Sequence, residues 1–514
     1  MTETLARPAA PIVLHPDDDV AILTARAGAG ERPLGLGAAL PRAVPPGHKI
    51  ARRDLAPGAL VRKFGQVIGT ATAAIAAGEH VHAHNLGMGG HEERYDVGAD
   101  LALARSAVPS TAPRTFEGYL RRDGRVGTRN MLALVATVNC SATVIRMAAR
   151  EIEGSGLLRA HPDVDGVVAF AHGSGCGMRG EGPGWDNLQR VLWGTATHPN
   201  VGAAMFVGLG CEVMQVARMQ EMFGPDGAER FHSLTIQEAG GTRATVDRIV
   251  ARAAELLPGL GRARRTPQPL SALTVALQCG GSDGYSGITA NPALGAAVDA
   301  LVGAGGTAIL SETPEIYGAE QLLLRRAASP EVAERLTERL GWWQRYAEMN
   351  GGTMDNNPSP GNKAGGLTTI LEKSLGAAAK GGATPLNAVY HYGERVRERG
   401  LVFMDTPGYD PVSATGQIAG GAQVVVFTTG RGSAFGSKPA PTIKLATNDR
   451  LFAAMEGDMD LNCGDIVSQG VAIARKGEEI LDLVVETASG RATKSETLGL
   501  GDNEFLPWQI GAVM

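Results

Sequence analysis

From Gly118 onward the chain alternates short apolar runs with segments of helical spacing, and that alternation constrains the fold more than any other feature. One block carries MLALVATV, DGVVAF, AMFVGLG and HSLTIQ; a second carries LTVALQC, TAILSE, LVFMDT, QVVVFTTG and TIKLAT. A short run that is apolar throughout suits a strand buried on both faces, and a helix between two such strands is the crossover that parallel pairing requires. The expected class is therefore α/β: two α/β domains with mostly parallel sheets, behind a small β-rich module. Helices are expected at Ala142–Ile152, at Trp185–Leu192, from Thr245, at Asn291–Val302, from Ala319 and at Asp465–Ser489.

The boundaries follow from composition shifts. Residues 1–10 read as disordered, 11–90 as short strands and turns, and 91–113 as a linker with Pro109 and Pro113. A central domain is expected at 114–260 and a C-terminal domain at 270–514, separated by the basic Pro/Gly stretch Pro258–Pro269. A chain of 514 residues with 44% hydrophobic content is too long for a single core. The net charge of −5 and the scattered Lys and Arg residues offer no field for nucleic acid. No apolar stretch of about 18 residues is present. The expectation is a cytoplasmic protein without nucleic-acid or membrane partners, and a homo-oligomer by analogy with large α/β enzymes.

Glycine is abundant, 70 residues, without forming a repeat, which points to tight loops around a ligand. Four of the five cysteines stand at or just beyond the ends of apolar runs: Cys140, Cys176, Cys211 and Cys279. In open parallel sheets, ligands bind outside the carboxyl ends of strands, so these thiols are candidates to converge. The plain alternative is that cysteine is often simply buried. His172 lies four residues before Cys176, and His80, His82 and His84 alternate along GEHVHAHN, with His84-Asn85 at the end of the module. Glu312 follows TAILS, again at a strand end, where a helix cap is the alternative role. The loops containing Ser282, Asp283, Asn291, Asn362, Lys363, Thr429 and Arg431 are rich in glycine and polar groups. None has the register of a phosphate-binding P-loop, so a small carboxylate fits them better than a nucleotide.

GYLRRDGRVGTRN, HGSGCG, GLGCE, QCGGSDGYSGITANPALG, PGNKAGG and FTTGRG resemble the altronate/galactarate dehydratase family, of which the sulfolactate sulfo-lyases are also members. HKIARRDLAPGALVRKFGQVIG and GEHVHAHN resemble a SAF (β-clip) domain. HGSGCG, IQEAGGT and MDLNCG look more like the altronate branch. The resemblance implies a hydro-lyase acting on a sugar acid, D-altronate first, with galactarate, another aldonate or aldarate, or a sulfolactate-type substrate as alternatives. A carbohydrate-binding protein without catalysis would lack Cys, His or Lys at the motif positions, and none is missing.

Dehydration of a 2,3-dihydroxy acid removes a proton α to a carboxylate and expels hydroxide, for which a Lewis acid is suited. The resemblance implies Fe(II), with Mn(II) as the alternative; three thiolates would also suit an iron–sulfur cluster. Expected metal ligands are Cys176, Cys279 and His84, then Cys140 and Cys211. Expected catalytic groups are His172, Lys363 and Glu312. Expected substrate contacts are His84, Asn85, Ser282, Asp283, Asn291, Asn362, Thr429 and Arg431.

Overall fold

The computed structural model describes residues 10–90, 95–223 and 231–513. The segment expected to be disordered, 1–10, lies outside the described residues apart from Ala10.

The apolar runs form two parallel sheets. The first has four strands in the order Gly166–Phe170, Met131–Ala136, Val201–Gly208, Phe231–Thr235. Alternate residues of these strands face opposite layers. Leu132, Leu134 and Met205 pack on helices Asn139–Ser155 and Thr242–Leu260, whereas Ala133, Val135 and Phe206 pack on Pro183–Ala196. Burial on both sides explains why no polar alternation is visible in the sequence.

The second sheet has seven parallel strands. Their order is Leu386–Tyr390, Gly400–Met404, Thr307–Leu310, Thr274–Cys279, Val424–Thr429, Thr442–Ala446, Leu461–Asn462. Helices Ala290–Gly303 and Ile473–Ala488 cover one face and Asp410–Ala419 the other. The expected terminal helix is broken into Asp465–Ser468 and Ile473–Ala488. Between them lies Gly470, at φ 72°, a backbone state that ends helices.

The two sheets meet through their amino ends. Asn200, one residue before its strand, donates from Nδ2 to the carbonyls of Gln423 and Pro439 at 3.1 and 3.0 Å. His198 donates from Nε2 to Ala422 O at 3.0 Å while its Nδ1 accepts from Asn200 N at 3.0 Å.

The stretch expected to be a free linker, Pro258–Pro269, is a joint instead. Helix Thr242–Leu260 continues through Pro258, and Thr266–Pro269 pairs antiparallel with Thr115–Leu120. Proline is tolerated here because it sits in the last turn and on an edge strand. The linker 91–113 likewise contains a helix, Leu101–Ser106, whose cap residue Asp100 holds Arg325 in a two-pronged ion pair.

The N-terminal module is built of two three-stranded antiparallel sheets: Val20–Ile22, Lys49–Ala51, His80–Val81 and Leu60–Lys63, Gln66–Ala71, Leu86–Gly87. It docks on the C-terminal domain through a buried ionic knot. Glu372 accepts from Lys49 Nζ at 2.8 Å, from Lys63 Nζ at 3.0 Å and from Thr368 Oγ1 at 2.7 Å.

Candidate functional site

Strand Thr274–Cys279 lies between Thr307–Leu310 and Val424–Thr429, so its two flanking connections leave in opposite directions and open a crevice at its carboxyl end. Cys279 ends that strand. Its sulfur accepts from Lys380 Nζ at 3.0 Å and lies 3.9 Å from Glu312 Oε2 and 3.7 Å from Glu315 Oε2. Lys380 also pairs with Glu312 at 3.3 Å, and Lys373 pairs with Glu315 at 2.6 Å. Asn357 completes the second pair by donating to Glu315 Oε1 at 2.7 Å and accepting from Lys373 at 2.9 Å.

All of this cluster is buried except part of Asn357. Glu312 sits at φ 71°, a left-handed state disfavoured for a side-chain-bearing residue, and its N–H is held by Thr406 Oγ1 at 2.9 Å. Burial first, and the charge of Glu315 second, push its carboxyl up to about 8. Burial also pushes the Cys279 thiol up to about 12, against the pull of Lys380. Asp410 is raised to about 6 by burial and by Glu315. The site thus keeps protonated acids next to ammonium groups at neutral pH, a combination that serves proton transfer.

The adjoining loop, Gly280–Gly287, is organised by Asp283. Its Oδ1 accepts from Ser286 N at 2.9 Å, Tyr285 N at 3.1 Å and Thr447 Oγ1 at 3.0 Å, and its Oδ2 from Asn448 Nδ2 at 3.0 Å. Gly430 abuts this carboxylate so closely that a Cβ there would fall 2.1 Å from Asp283 Cγ. On one side of Asp283 a cleft of about 650 Å³ opens between the N-terminal module and the C-terminal domain, lined by Pro46, Asp283, Ala364, Arg431, Asn448 and Arg450. Asp283 also borders a small pocket of about 10 Å³, walled with it by Cys279, Lys373, Lys63 and Phe64. That is room for about one water.

A second cluster lies in the N-terminal module beside this cleft. Strands Lys49–Ala51 and His80–Val81 pair with Ile50 opposite His80, which sets His48 opposite His82. His48 Nδ1 is 3.1 Å from His80 Nε2, and the rings of His82 and His84 lie 5.0 Å from His48 and 5.5 Å from His80 respectively. His48 Nε2 donates to Ala364 O, on the cleft wall, at 3.3 Å. Burial, then neighbouring imidazoles, lowers His80 to about 3; burial and Lys49 lower His82 to about 4. The Nδ1 atoms of His80 and His82 are buried without partners. Asn85 shapes the turn by accepting from His82 N at 2.9 Å and donating to His80 O at 3.0 Å.

Among the described residues, ligand atoms of His48, His80 and His82, and of Cys279, Glu312 and Glu315, come within 4.8 Å of one another. The imidazoles fit a divalent transition metal: they are neutral, and two of their nitrogens are orphaned. In the thiol–carboxylate set an ammonium, Lys380, already stands where a cation would bind.

The expected site residues therefore divide among three places. Cys279, Glu312, Ser282, Asp283 and Arg431 gather around the crevice. Asn291, Asn362 and Thr429 lie there too but make structural bonds: Asn291 to Gly376 O and Thr428, Asn362 to Ser282 O and Ser359, Thr429 to Gly432 N. Lys363 is half-buried one residue before Ala364 of the cleft wall. His84 and Asn85 belong to the histidine cluster. Cys140, Cys176, Cys211 and His172 lie in the central domain, on the other sheet, and make no contact with Cys279. His172 does not fit the role of proton carrier expected of it. Its Nε2 donates to Ala136 O at 2.9 Å, its Nδ1 accepts from Ser174 N at 3.2 Å, and burial lowers it to about 4.

Lys373, Lys380, Glu315 and His48 were not singled out from the sequence. Lys373 and Lys380 are seven positions apart, two helical turns, which places both on one face of helix Ile370–Ala379 and its cap.

Two helix-covered parallel sheets, a crevice at the switch point and a buried acid–base cluster define an enzyme acting on a small polar molecule. Comparison with known proteins narrows this class. Residues 270–513 match the model of the D-galactarate/altronate dehydratase C-terminal domain, 118–261 that of the D-galactarate dehydratase/altronate hydrolase second domain, and 9–89 that of the altronate/galactarate dehydratase SAF domain. The chain is 38% identical to the altronate dehydratase of Escherichia coli (strain K12) over 88% of its length and 89% of the relative's. It is 34% identical to the altronate dehydratase of Bacillus subtilis (strain 168), over 94% and 96%. With the galactarate dehydratase (L-threo-forming) of E. coli K12 it shares 37% over 95% of each chain. The chain belongs to the altronate/galactarate dehydratase family and is an enzyme of the hydro-lyase type. No helix among the described residues is long and apolar enough to cross a membrane.

Proposed function

We propose that the enzyme dehydrates D-altronate to a 2-keto-3-deoxy acid in the cleft between the SAF domain and the seven-stranded sheet, with Fe(II) held by His48, His80 and His82. The observation that carries this reading is that one region assembles three neutral imidazoles, two of them with an orphaned nitrogen, a ligand-sized cleft and a buried acid–base cluster. The volume of the cleft is in the range of small-molecule sites.

Arg431 and Arg450 supply guanidinium groups suited to the substrate carboxylate, and Asp283, pinned by its donors, accepts from substrate hydroxyls. When bound, the metal supplies Lewis acidity that stabilises the charge developing on the carboxylate as the α proton leaves. Lys363, next to Ala364 of the cleft wall, takes that proton. Glu312, kept protonated by burial, delivers a proton toward the departing hydroxyl, with one water in the small pocket bordered by Asp283 as the relay. The altronate preference rests on HGSGCG, IQEAGGT and MDLNCG. Galactarate is the second reading, because two guanidiniums in the cleft match two carboxylates.

The test is anaerobic purification, iron determination, and assay of 2-keto-3-deoxy acid formation from D-altronate and galactarate with and without Fe(II). Iron-dependent turnover with the higher kcat/KM for altronate is expected; the reverse ratio selects galactarate. Folded, iron-loaded protein that turns over neither acid sinks the assignment. Retention of all iron by a His48→Ala/His82→Ala variant removes the metal from the imidazoles.

A further inference from the structure

Three of the five cysteines are exposed, and all three stand at the carboxyl edge of the four-stranded sheet, Cys140 in the first turn of helix Asn139–Ser155 and Cys176 and Cys211 on loops. Cys140 and Cys211 each lie four residues beyond the strand pair Ala136 and Val207, and Cys176 lies six beyond Phe170, which pairs with Val135. The three strands are immediate neighbours, so their loops leave the sheet side by side.

Hydrogen bonds lace those loops together. Gly175 O accepts from Val213 N at 3.2 Å and Met214 N at 3.4 Å, and Asn139 N donates to Ser174 O at 2.9 Å. Gly175, at φ 97°, packs so tightly on the first loop that a Cβ would fall 2.2 Å from Thr137 O. Glu212, buried beside Cys211, accepts from Thr137 Oγ1 at 2.7 Å and from Gly210 N at 2.6 Å. His172 locks the Cys176 loop to the end of its neighbouring strand through Ala136 O. The residue next to Cys176 thus touches segments two or three positions from each of the other cysteines.

Free cysteine is ordinarily among the most buried residues, and an exposed thiol is a liability that a chain normally avoids. Three on hydrogen-bonded neighbouring segments call for a function. The sulfurs are not all within 4.8 Å of one another, which is wide for three ligands of one ion and compatible with the corners of a cluster. Gln237 directs its amide to Cys211 Sγ at 3.9 Å, and bonds of this kind to sulfur tune iron–sulfur centres.

We propose that Cys140, Cys176 and Cys211 hold an iron–sulfur cluster through three thiolates, leaving one iron open to an oxygen ligand such as a carboxylate or hydroxyl. Ligation replaces three S–H bonds by three Fe–S bonds and releases three protons; ferrous and ferric iron in equal parts and sulfide ions are the co-reactants, so that a core of two ferrous and two ferric irons forms without net electron transfer. The site is separate from the imidazole centre, and in this role His172 is a positioning residue for the Cys176 loop.

The test is anaerobic reconstitution of the full chain with ferrous and ferric iron in equal parts and sulfide, followed by counts of iron and acid-labile sulfide and a visible spectrum. Wild type is expected to bind sulfide and absorb broadly in the visible. Cys140→Ser, Cys176→Ser and Cys211→Ser are each expected to lose most of both, with circular dichroism unchanged. Cys279→Ser and His48→Ala, which alter the other centre, are expected to keep the sulfide. Three overturning results are defined: sulfide retained by the triple serine variant, three thiols still open to a thiol reagent after reconstitution, or a single metal ion bound without sulfide.

Discussion

At the scale of single residues, the proposed chemistry turns on Glu312. Its carboxyl is held near 8 by burial and by Glu315, and its left-handed backbone aims it at Lys380 and Cys279. Glu312→Gln preserves the shape but removes the transferable proton. We expect kcat to fall by about 10²-fold or more, the usual size of a lost acid–base group, with KM nearly unchanged. Steady-state kinetics decides it, and a kcat within twofold of wild type would exclude the role. Glu312 was legible in the sequence because it follows an apolar run, and strand ends are where parallel sheets place their chemistry. Lys380 and Lys373 were not, since LEKSLGAAAK has the look of an ordinary helix with solvated lysines. Burying two lysines becomes acceptable only when acceptors arrive from Glu312 and Glu315, some 60 residues earlier in the chain.

At the scale of elements, helix Ile370–Ala379 is two-sided: Lys373 faces Glu315 and the buried Cys279 cluster while Glu372, its neighbour, receives the SAF domain through Lys49 and Lys63. Burial works against a charge on Glu372, yet the two lysines hold it well below the usual carboxylate range. Glu372→Gln leaves two buried ammonium groups without their counter-charge. The expected cost is about 3–5 kcal/mol, the range for breaking a buried ion pair. It should appear as a lower thermal midpoint and faster proteolysis in the SAF domain; an unshifted midpoint would contradict the ionic knot. Element types were readable because periodicity is a local property: helices Asn139–Ser155, Pro183–Ala196 and Ala290–Gly303 stand where the pattern placed them, with ends extended by one to four residues. Pro258–Pro269, read as the boundary stretch, also holds the end of a helix and an edge strand, since proline and glycine mark these as readily as a linker.

At the scale of the molecule, the junction between the two sheets depends on a histidine that must stay neutral. His198 is buried, donates to Ala422 O and accepts from Asn200 N, and burial lowers it from 6.5 to about 3. Above pH 6.5 neither the folded nor the unfolded imidazole is charged, and its contribution to stability is complete. Below that the unfolded chain takes up a proton that the fold refuses, so stability falls as pH drops from 6.5 toward 3, by up to about 1.4 kcal/mol per pH unit for the one group. Thermal midpoints measured from pH 7.5 to 5 should therefore decline, and His198→Gln should flatten the decline; a parallel decline in the variant would place the acid sensitivity elsewhere. From the sequence alone came the α/β class, the parallel sheets, the β-rich module and the strand-end positions of Cys279 and Glu312, because burial pattern and strand ends are written locally. Only the tertiary structure decided which of these residues meet. Antiparallel pairing brings His48 to His80 and His82, and the joining of the sheets at their amino ends leaves Cys140, Cys176 and Cys211 together but apart from Cys279. Neighbourhood between strands is set by packing and crossover, and no local spacing encodes it.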